Sequence, residues 1–278
     1  MRILFRNFTK LLAIGKFESD CMVERMSEFK WNKLFLVAIA YGVDDYISTG
    51  IMKSGGEAIP RNIYETACNN SSQAKVGINT DKFSAHNFTS RQQAKKFSNF
   101  YLNRKYNRII FNEVHSIDTS IDSLVLLDKL TDNINKFVNE GIDIKSLADL
   151  GTYLRTCGNK IDFVKIENWI NALRIRNISN IIACCLICLF RFEPDEFPFI
   201  KNMNGKYQRK INRLLEEELN AVPQLTKSQS ADEEKHRQGI NPISKPSAKP
   251  LKYFRYFPLE TSSRFMANIL KSLSNIDE

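Results

Sequence analysis

The run from Ile178 to Phe192 carries Ile181, Ile182, Ala183, Cys184, Cys185, Leu186, Ile187, Cys188, Leu189 and Phe190, with no polar face. A helix that is apolar all round must be covered all round, by other helices or by lipid. A membrane span needs about 20 apolar residues. This run is shorter, and Arg176 and Arg191 close it. The chain must therefore supply helices to wrap it. Asn177 is the expected start and Pro194 the expected stop, because proline cannot continue a helix.

The wrapping is legible just upstream. In Ile121–Asn139 the residues Ile121, Leu124, Val125, Leu130, Ile134, Phe137 and Val138 recur at three- and four-residue steps, which puts them on one helix face. Thr119 is the expected cap, with Asp122 three residues on to reach back to it. Gly141 offers the left-handed residue that ends such a helix. Asp143 caps a second helix, with Leu147, Leu150 and Leu154 inward. Gly158 breaks it, and Asp162 starts a third with Phe163, Ile166, Trp169, Ile170 and Leu173.

Earlier in the chain, residues 3–14 read as a short amphipathic helix. Phe29–Tyr41 is a second helix, Val43–Ile51 a third, and Arg61–Cys68 a fourth, with Pro60 at its first turn. Gly42 and Ser54-Gly55-Gly56 are breaks. Asn69–Asn87 is polar and reads as a loop or weak helix. After Pro194 come an acidic aromatic turn and a polar helix, Lys206–Leu219. Residues 223–250 lack aromatics and are rich in Ser, Lys, Gln, Glu and Pro, the composition of a disordered linker. Residues 251–278 recover apolar character as an aromatic segment and a final amphipathic helix that docks in cis, on a partner, or on a membrane surface. The expected fold is all-α: one bundle of about eight to ten helices over residues 1–222, a linker, and a C-terminal docking segment.

Six cysteines, three of them in the apolar helix, do not form a disulfide or zinc framework: Cys185 and Cys188 have neither a second pair nor a nearby His. A reducing, cytoplasmic setting is expected. The N-terminal apolar residues are spaced as a helix, without the cleavage site of a secretory signal. The net charge of +9 is uneven: +8 over residues 1–112, −4 over 113–200 and +5 over 201–278. Two readings stay open. The basic ends fold onto the acidic centre, or they meet an anionic partner.

Two stretches carry candidate chemistry. In Phe88–Asn112, Arg91, Lys95, Lys96, Arg104, Lys105 and Arg108 occur with no acid among them, interleaved with Phe97, Phe100, Tyr101, Tyr106 and Phe111. Cations that grip phosphates beside rings that stack on bases suit single-stranded nucleic acid. The competing reading is an amphipathic helix whose rings are core and whose cations are a solvated face. No known RNA- or DNA-binding signature accompanies the stretch. The second is Glu113, His115 and Asp118, which could form a polar or metal site. Their spacing matches no ligand pattern, and helix capping accounts for Asp118, Thr119 and Asp122. No metal or cofactor is expected.

The chain also resembles the nucleotidyltransferase-like proteins of bacterial capsular and exopolysaccharide gene clusters. The resemblance rests on Trp31-Asn32-Lys33-Leu34 through Ala38, Tyr41-Gly42-Val43, Gly50-Ile51 and Pro60. It continues in Asn133–Gly141 with Ile144–Leu154, in Glu196-Phe197-Pro198-Phe199 and in Phe254-Arg255-Tyr256-Phe257-Pro258. Such a core needs a Gly-Ser turn for the triphosphate and an acidic pair on the next strand for two Mg²⁺ ions. Here Ser54-Gly55-Gly56 is followed by no such pair. Asp44-Asp45 precedes it in a helical context, and the strand-like run Ala74–Ile78 has no acidic pair. The resemblance thus implies a relative without the reaction, and no catalytic or metal residue is carried over. The leading expectation is a non-catalytic interaction protein with a protein partner, in polysaccharide assembly or its regulation. The alternatives are a nucleic-acid-binding module on residues 88–112 and a divergent metal-dependent nucleotidyltransferase.

Overall fold

The computed structural model describes residues 2–55, 59–71 and 96–200, with 208–209, 212–213, 215–217, 257–258, 260–263 and 266. The expected loop after residue 71, the run Ala74–Ile78, the linker 223–250 and most of the final helix lie outside the described residues. Among those described, every regular element is helical. In order they are α1 (Arg2–Phe17), α2 (Glu28–Ala40), α3 (Asp44–Lys53), α4 (Arg61–Ser71), α5 (Phe100–Val114), α6 (Ile121–Asn139), α7 (Ile144–Cys157), α8 (Phe163–Ala172) and α9 (Arg176–Phe190). Single 3₁₀ turns follow α7 and α9.

Helix α9 is the centre, as its all-round apolarity requires. It touches α1, α6, α7 and α8. Ile178, Ile181, Ile182, Cys184, Cys185, Leu186, Leu189 and Phe190 are at most 1 % exposed. The helix ends at Phe190, two residues before the expected end at Phe192. The chain leaves the helix at Arg191, which sits in the left-handed region (φ 56°) and donates its N–H to the Ile187 carbonyl at 3.1 Å. Arg174 after α8 and Glu18 after α1 do the same. Glycine is the usual residue there, so these ends carry little sequence signal. Phe192 then folds back against Phe17, whose ring also meets Phe190, at 5.1 and 5.3 Å. Arg155 lies 4.0 Å over Phe192 and holds Glu196 through two hydrogen bonds of 3.0 and 3.1 Å.

The caps agree with expectation in part. Asp143 accepts from Ser146 N–H and Asp162 from Val164 and Lys165 N–H. At α6 the expected cap is wrong. Ser120 is the flanking residue, and Thr119 instead donates to the carbonyls of Glu113 and Ser116. Asp122 accepts from the Tyr153 hydroxyl of α7 at 3.0 Å, so its carboxylate joins two helices rather than closing one.

Helices α1 and α3 form the tightest pair. A Cβ on Gly15 would stand 1.9 Å from the Tyr46 carbonyl oxygen, and one on Gly50 2.3 Å from that of Leu11. Both obstacles are backbone, so neither can rotate away. The residues 18–27 cross α1 on a reciprocal amide pair. Asn7 Nδ2 donates to the Glu24 carbonyl at 2.7 Å, and Glu24 N–H donates to Asn7 Oδ1 at 2.9 Å.

Two outcomes are expected. Gly50→Ala raises intrinsic helix propensity by about 1 kcal/mol. It nevertheless destabilises the protein by about 3 kcal/mol in chemical denaturation, because α1 and α3 must part. In α9, burial pushes the Cys184 thiol up to about 11 and, with Cys184 alongside, the Cys188 thiol up to about 12. At pH 8 roughly one in a thousand or fewer of these thiols is ionised. Iodoacetamide mapped by mass spectrometry should therefore label Cys21 and Cys157 in the native protein, and Cys184, Cys185 and Cys188 only after unfolding.

Candidate functional site

Helix α5 is the element that gathers the basic and aromatic residues. It starts at Asn99, whose Oδ1 accepts from Leu102 N–H at 3.1 Å. Leu102, Tyr106, Ile110 and Glu113 recur at helical spacing and face the bundle, all buried. The opposite side is therefore fixed: Phe100, Tyr101, Arg104, Arg108, Phe111 and His115 share the outward face. Phe100 is 80 % exposed, Tyr101 56 % and Phe111 50 %. The two competing readings of this stretch divide along the helix. Phe97 and Tyr106 are core, while Phe100, Tyr101 and Phe111 are not.

The six candidate cations divide as well. Arg91 and Lys95 lie outside the described residues. Arg104 and Arg108 are exposed on the outward face. Lys105, half-buried at its edge, donates to the Ala172 carbonyl at 3.1 Å and lies 5.0 Å over the Tyr101 ring. Lys96 is no surface cation. Its Nζ sits 2.6 Å from Asp132 and 2.8 Å from Asp128, which is buried. The Tyr106 hydroxyl donates to that same Asp128 oxygen at 2.6 Å. Burial, then the Asp128 charge and hydrogen bond, raise this phenol beyond the ordinary tyrosine range. The network bolts the inner side of α5 to α6. Tyr106 and Asp128 stand 22 positions apart on different helices, a pairing no local pattern announces.

The second constellation does not assemble. Glu113 is buried and accepts from Ser120 N–H at 2.7 Å and from Lys165 Nζ at 2.8 Å. Asp118 is exposed and meets the same lysine through its carbonyl and, at 3.4 Å, its carboxylate. The Glu113 hydrogen bond leads the causes that hold Lys165 above the usual lysine value. His115 lies elsewhere. Its ring lies 4.2 Å from that of Phe111, tilted by 32°, and Nδ1 is 2.7 Å from the Phe111 carbonyl. Glu113 and Asp118 thus staple the α5–α6 loop to α8 through Lys165, and His115 lies apart from them on the outer face. Among the described residues no group of three or more His, Cys, Asp or Glu is placed to hold a metal ion.

A polar groove of about 260 Å³ runs between α6 and α7, lined among others by Lys129, Asp132, Asn133, Lys136, Ser146 and Asp149. Its groups serve the fold. Lys136 holds Asp143 at 2.8 Å, Asn133 donates to the Lys129 and Ser146 carbonyls, and Asp132 pairs with Lys96. Among the described residues no helix is long and apolar enough to cross a membrane. Comparison with protein-family models, curated protein sequences and solved structures gave no match, so the site is read from its own geometry.

Removing the donor from a buried carboxylate costs about 1–3 kcal/mol. Tyr106→Phe is expected to lower stability by that amount in urea denaturation. The outward face keeps its composition in this variant.

Proposed function

We propose that this chain is a binding protein and that the outward face of α5 holds single-stranded RNA or DNA. One observation carries the reading. Phe100, Tyr101 and Phe111 stand in solvent, interleaved with Arg104, Lys105 and Arg108, while the helix's one acid, Glu113, is turned inward. Large rings on a solvated helix face gain nothing for folding, and burying them on a ligand removes that cost. Bases have π faces that stack on such rings at about 1–3 kcal/mol each, and guanidinium groups grip the intervening phosphates. From Tyr101 to Phe111 the helix advances about 15 Å, the length of some four or five stacked nucleotides at about 3.4 Å each.

The acidic centre does not oppose this reading. Its carboxylates Glu113, Asp128 and Asp132 are engaged by Lys165 and Lys96, away from the stripe.

An accessory protein that docks another protein, in the polysaccharide setting implied by the resemblance, is the second reading. It is favoured by α2, where Phe29, Leu36 and Ile39 are 77, 60 and 62 % exposed. The cations of α2 itself are Lys30 and Lys33, and its exposed Phe29, Leu36 and Ile39 suit an apolar partner rather than a polyanion.

Fluorescence anisotropy with a labelled 12-mer of U or dT separates the two. Binding through about three phosphate contacts should give a slope of log K against log salt near −2. In the double variant Arg104→Ala/Arg108→Ala it should fall to about −0.7. Phe100→Ala and Phe111→Ala should each weaken binding about tenfold or more at constant slope. No binding at low salt, or a slope indifferent to the arginines, would leave the α2 face as the working surface.

A further inference from the structure

The helix that carries the stripe is completed by residues from the far end of the chain. Asn99 is its N-cap, and three of the groups around it are satisfied by the tail. The Glu260 carboxylate accepts from Ser98 N–H at 2.6 Å and from Asn99 N–H at 3.0 Å, across 162 and 161 positions. Asn99 Nδ2 donates to Ser263 Oγ at 3.0 Å, which leaves Asn99 Oδ1 aimed at Leu102 N–H. Beneath them Phe257 packs edge-on against Phe97 at 6.1 Å, and Phe97 against Tyr106 at 5.9 Å. Phe257, Glu260 and Thr261 are each at most 1 % exposed.

A fully buried carboxylate is costly unless its oxygens are hydrogen-bonded. Here the bonds come from backbone N–H groups at the positive end of a helix, where a negative charge is most favourable. The exchange is mutual at Asn99, whose N–H is one that a helix start leaves without a partner, and the Ser98 N–H just before it adds the second bond. The first turn of α5 is where Phe100 and Tyr101, two of the three exposed rings, are mounted. If the tail leaves, Ser98 and Asn99 lose their acceptor, Asn99 loses one restraint on its cap rotamer, and Phe97 loses its edge-on neighbour.

We infer that Phe257, Glu260 and Ser263 form a strap that orders the first turn of α5 and so sets how well its outward face binds, with Glu260 as the positioning residue. The binding half of this inference rests on the function proposed above; the ordering half does not. The linkage is reciprocal: a ligand stacked on Phe100 and Tyr101 holds the strap down as firmly as the strap holds the rings. If release of the strap leaves the first turn formed about a tenth of the time, apparent affinity falls about tenfold, because only the formed fraction binds. The strap is a device of the folded chain and contacts no ligand itself.

The test uses the full chain with Glu260→Gln, which keeps the side-chain shape and one acceptor but removes the charge. Phe257→Leu and Ser263→Ala are the graded partners. Hydrogen exchange is read at the Leu102 and Asn103 amides, the first two that α5 bonds to Asn99. Anisotropy with the same labelled 12-mer is read alongside. Expected are faster exchange at those two amides, unchanged exchange in α9, and binding weaker by about tenfold for Glu260→Gln, with Ser263→Ala between it and the parent. Unchanged exchange in α5 overturns the ordering half whether or not the parent binds RNA or DNA. Faster exchange with equal or tighter binding overturns the coupling, and tighter binding would make the tail a mask. If Glu260→Gln does not fold, the Ser263→Ala pair of readings decides in the same way. A parent that binds no oligonucleotide removes the binding half with the function it rests on, while the exchange result stands by itself.

Discussion

Everything in this fold answers to the burial of one helix. Residues of α9 point apolar side chains in every direction, so α1, α6, α7 and α8 must each offer an apolar face to it. Each buried Ile or Leu contributes about 1.5–3 kcal/mol. The order of the helices follows. The segments immediately upstream wrap three sides, and α1 returns from the far end of the sequence to close the next. Phe17 and Phe192 fill the corner where α1, α7 and the end of α9 meet, with Arg155 stacked outside them. Gly151 makes that corner available, since a Cβ there would lie 2.7 Å from the Phe192 ring.

Helix α5 stands at the edge of this core and is fastened by charge as much as by apolar contact. The Lys96–Asp128–Tyr106 network is costly to desolvate, and it is favourable only because each charged group has a partner. Its role is to fix orientation. With Tyr106 tied to α6 and Glu113 tied to Lys165, α5 cannot roll, and the rings on its outer side cannot turn inward. A stripe held open in this way differs from scattered exposed residues. It repeats at helical spacing on one side of one rigid element.

Much of the bundle was legible where periodicity and caps agree. The bounds of α6 and the Asp143 and Asp162 caps needed no tertiary information, because four-residue spacing and short polar side chains act locally. Three left-handed helix ends at Glu18, Arg174 and Arg191 were not legible, since such ends are normally signalled by glycine. The closeness of α1 and α3 was hidden because no local pattern marks Gly15 and Gly50 as the place where two backbones touch. Of the basic stretch, composition alone could not separate Lys96 from Arg104. Their difference lies in Asp128 and Asp132, which are remote in sequence. The exposed rings, by contrast, could have been found. Leu102, Tyr106 and Ile110 already fix the inner side, and Phe100, Tyr101 and Phe111 fall opposite. The docking of Phe257 and Glu260 onto α5 agrees with a tail packed in cis, although nothing in the sequence names Ser98 and Asn99 as its partners.

Hydroxyl-radical footprinting resolved by residue addresses the central claim most directly, that a core closed around α9 leaves the rings of α5 outside it. In the free protein Phe100 should oxidise fastest, with Tyr101 and Phe111 also readily modified, while Phe97, Tyr106 and Phe190 should be strongly protected. Protection of Phe100 and Phe111 equal to that of Phe97, in protein that is monomeric and folded, would contradict the account.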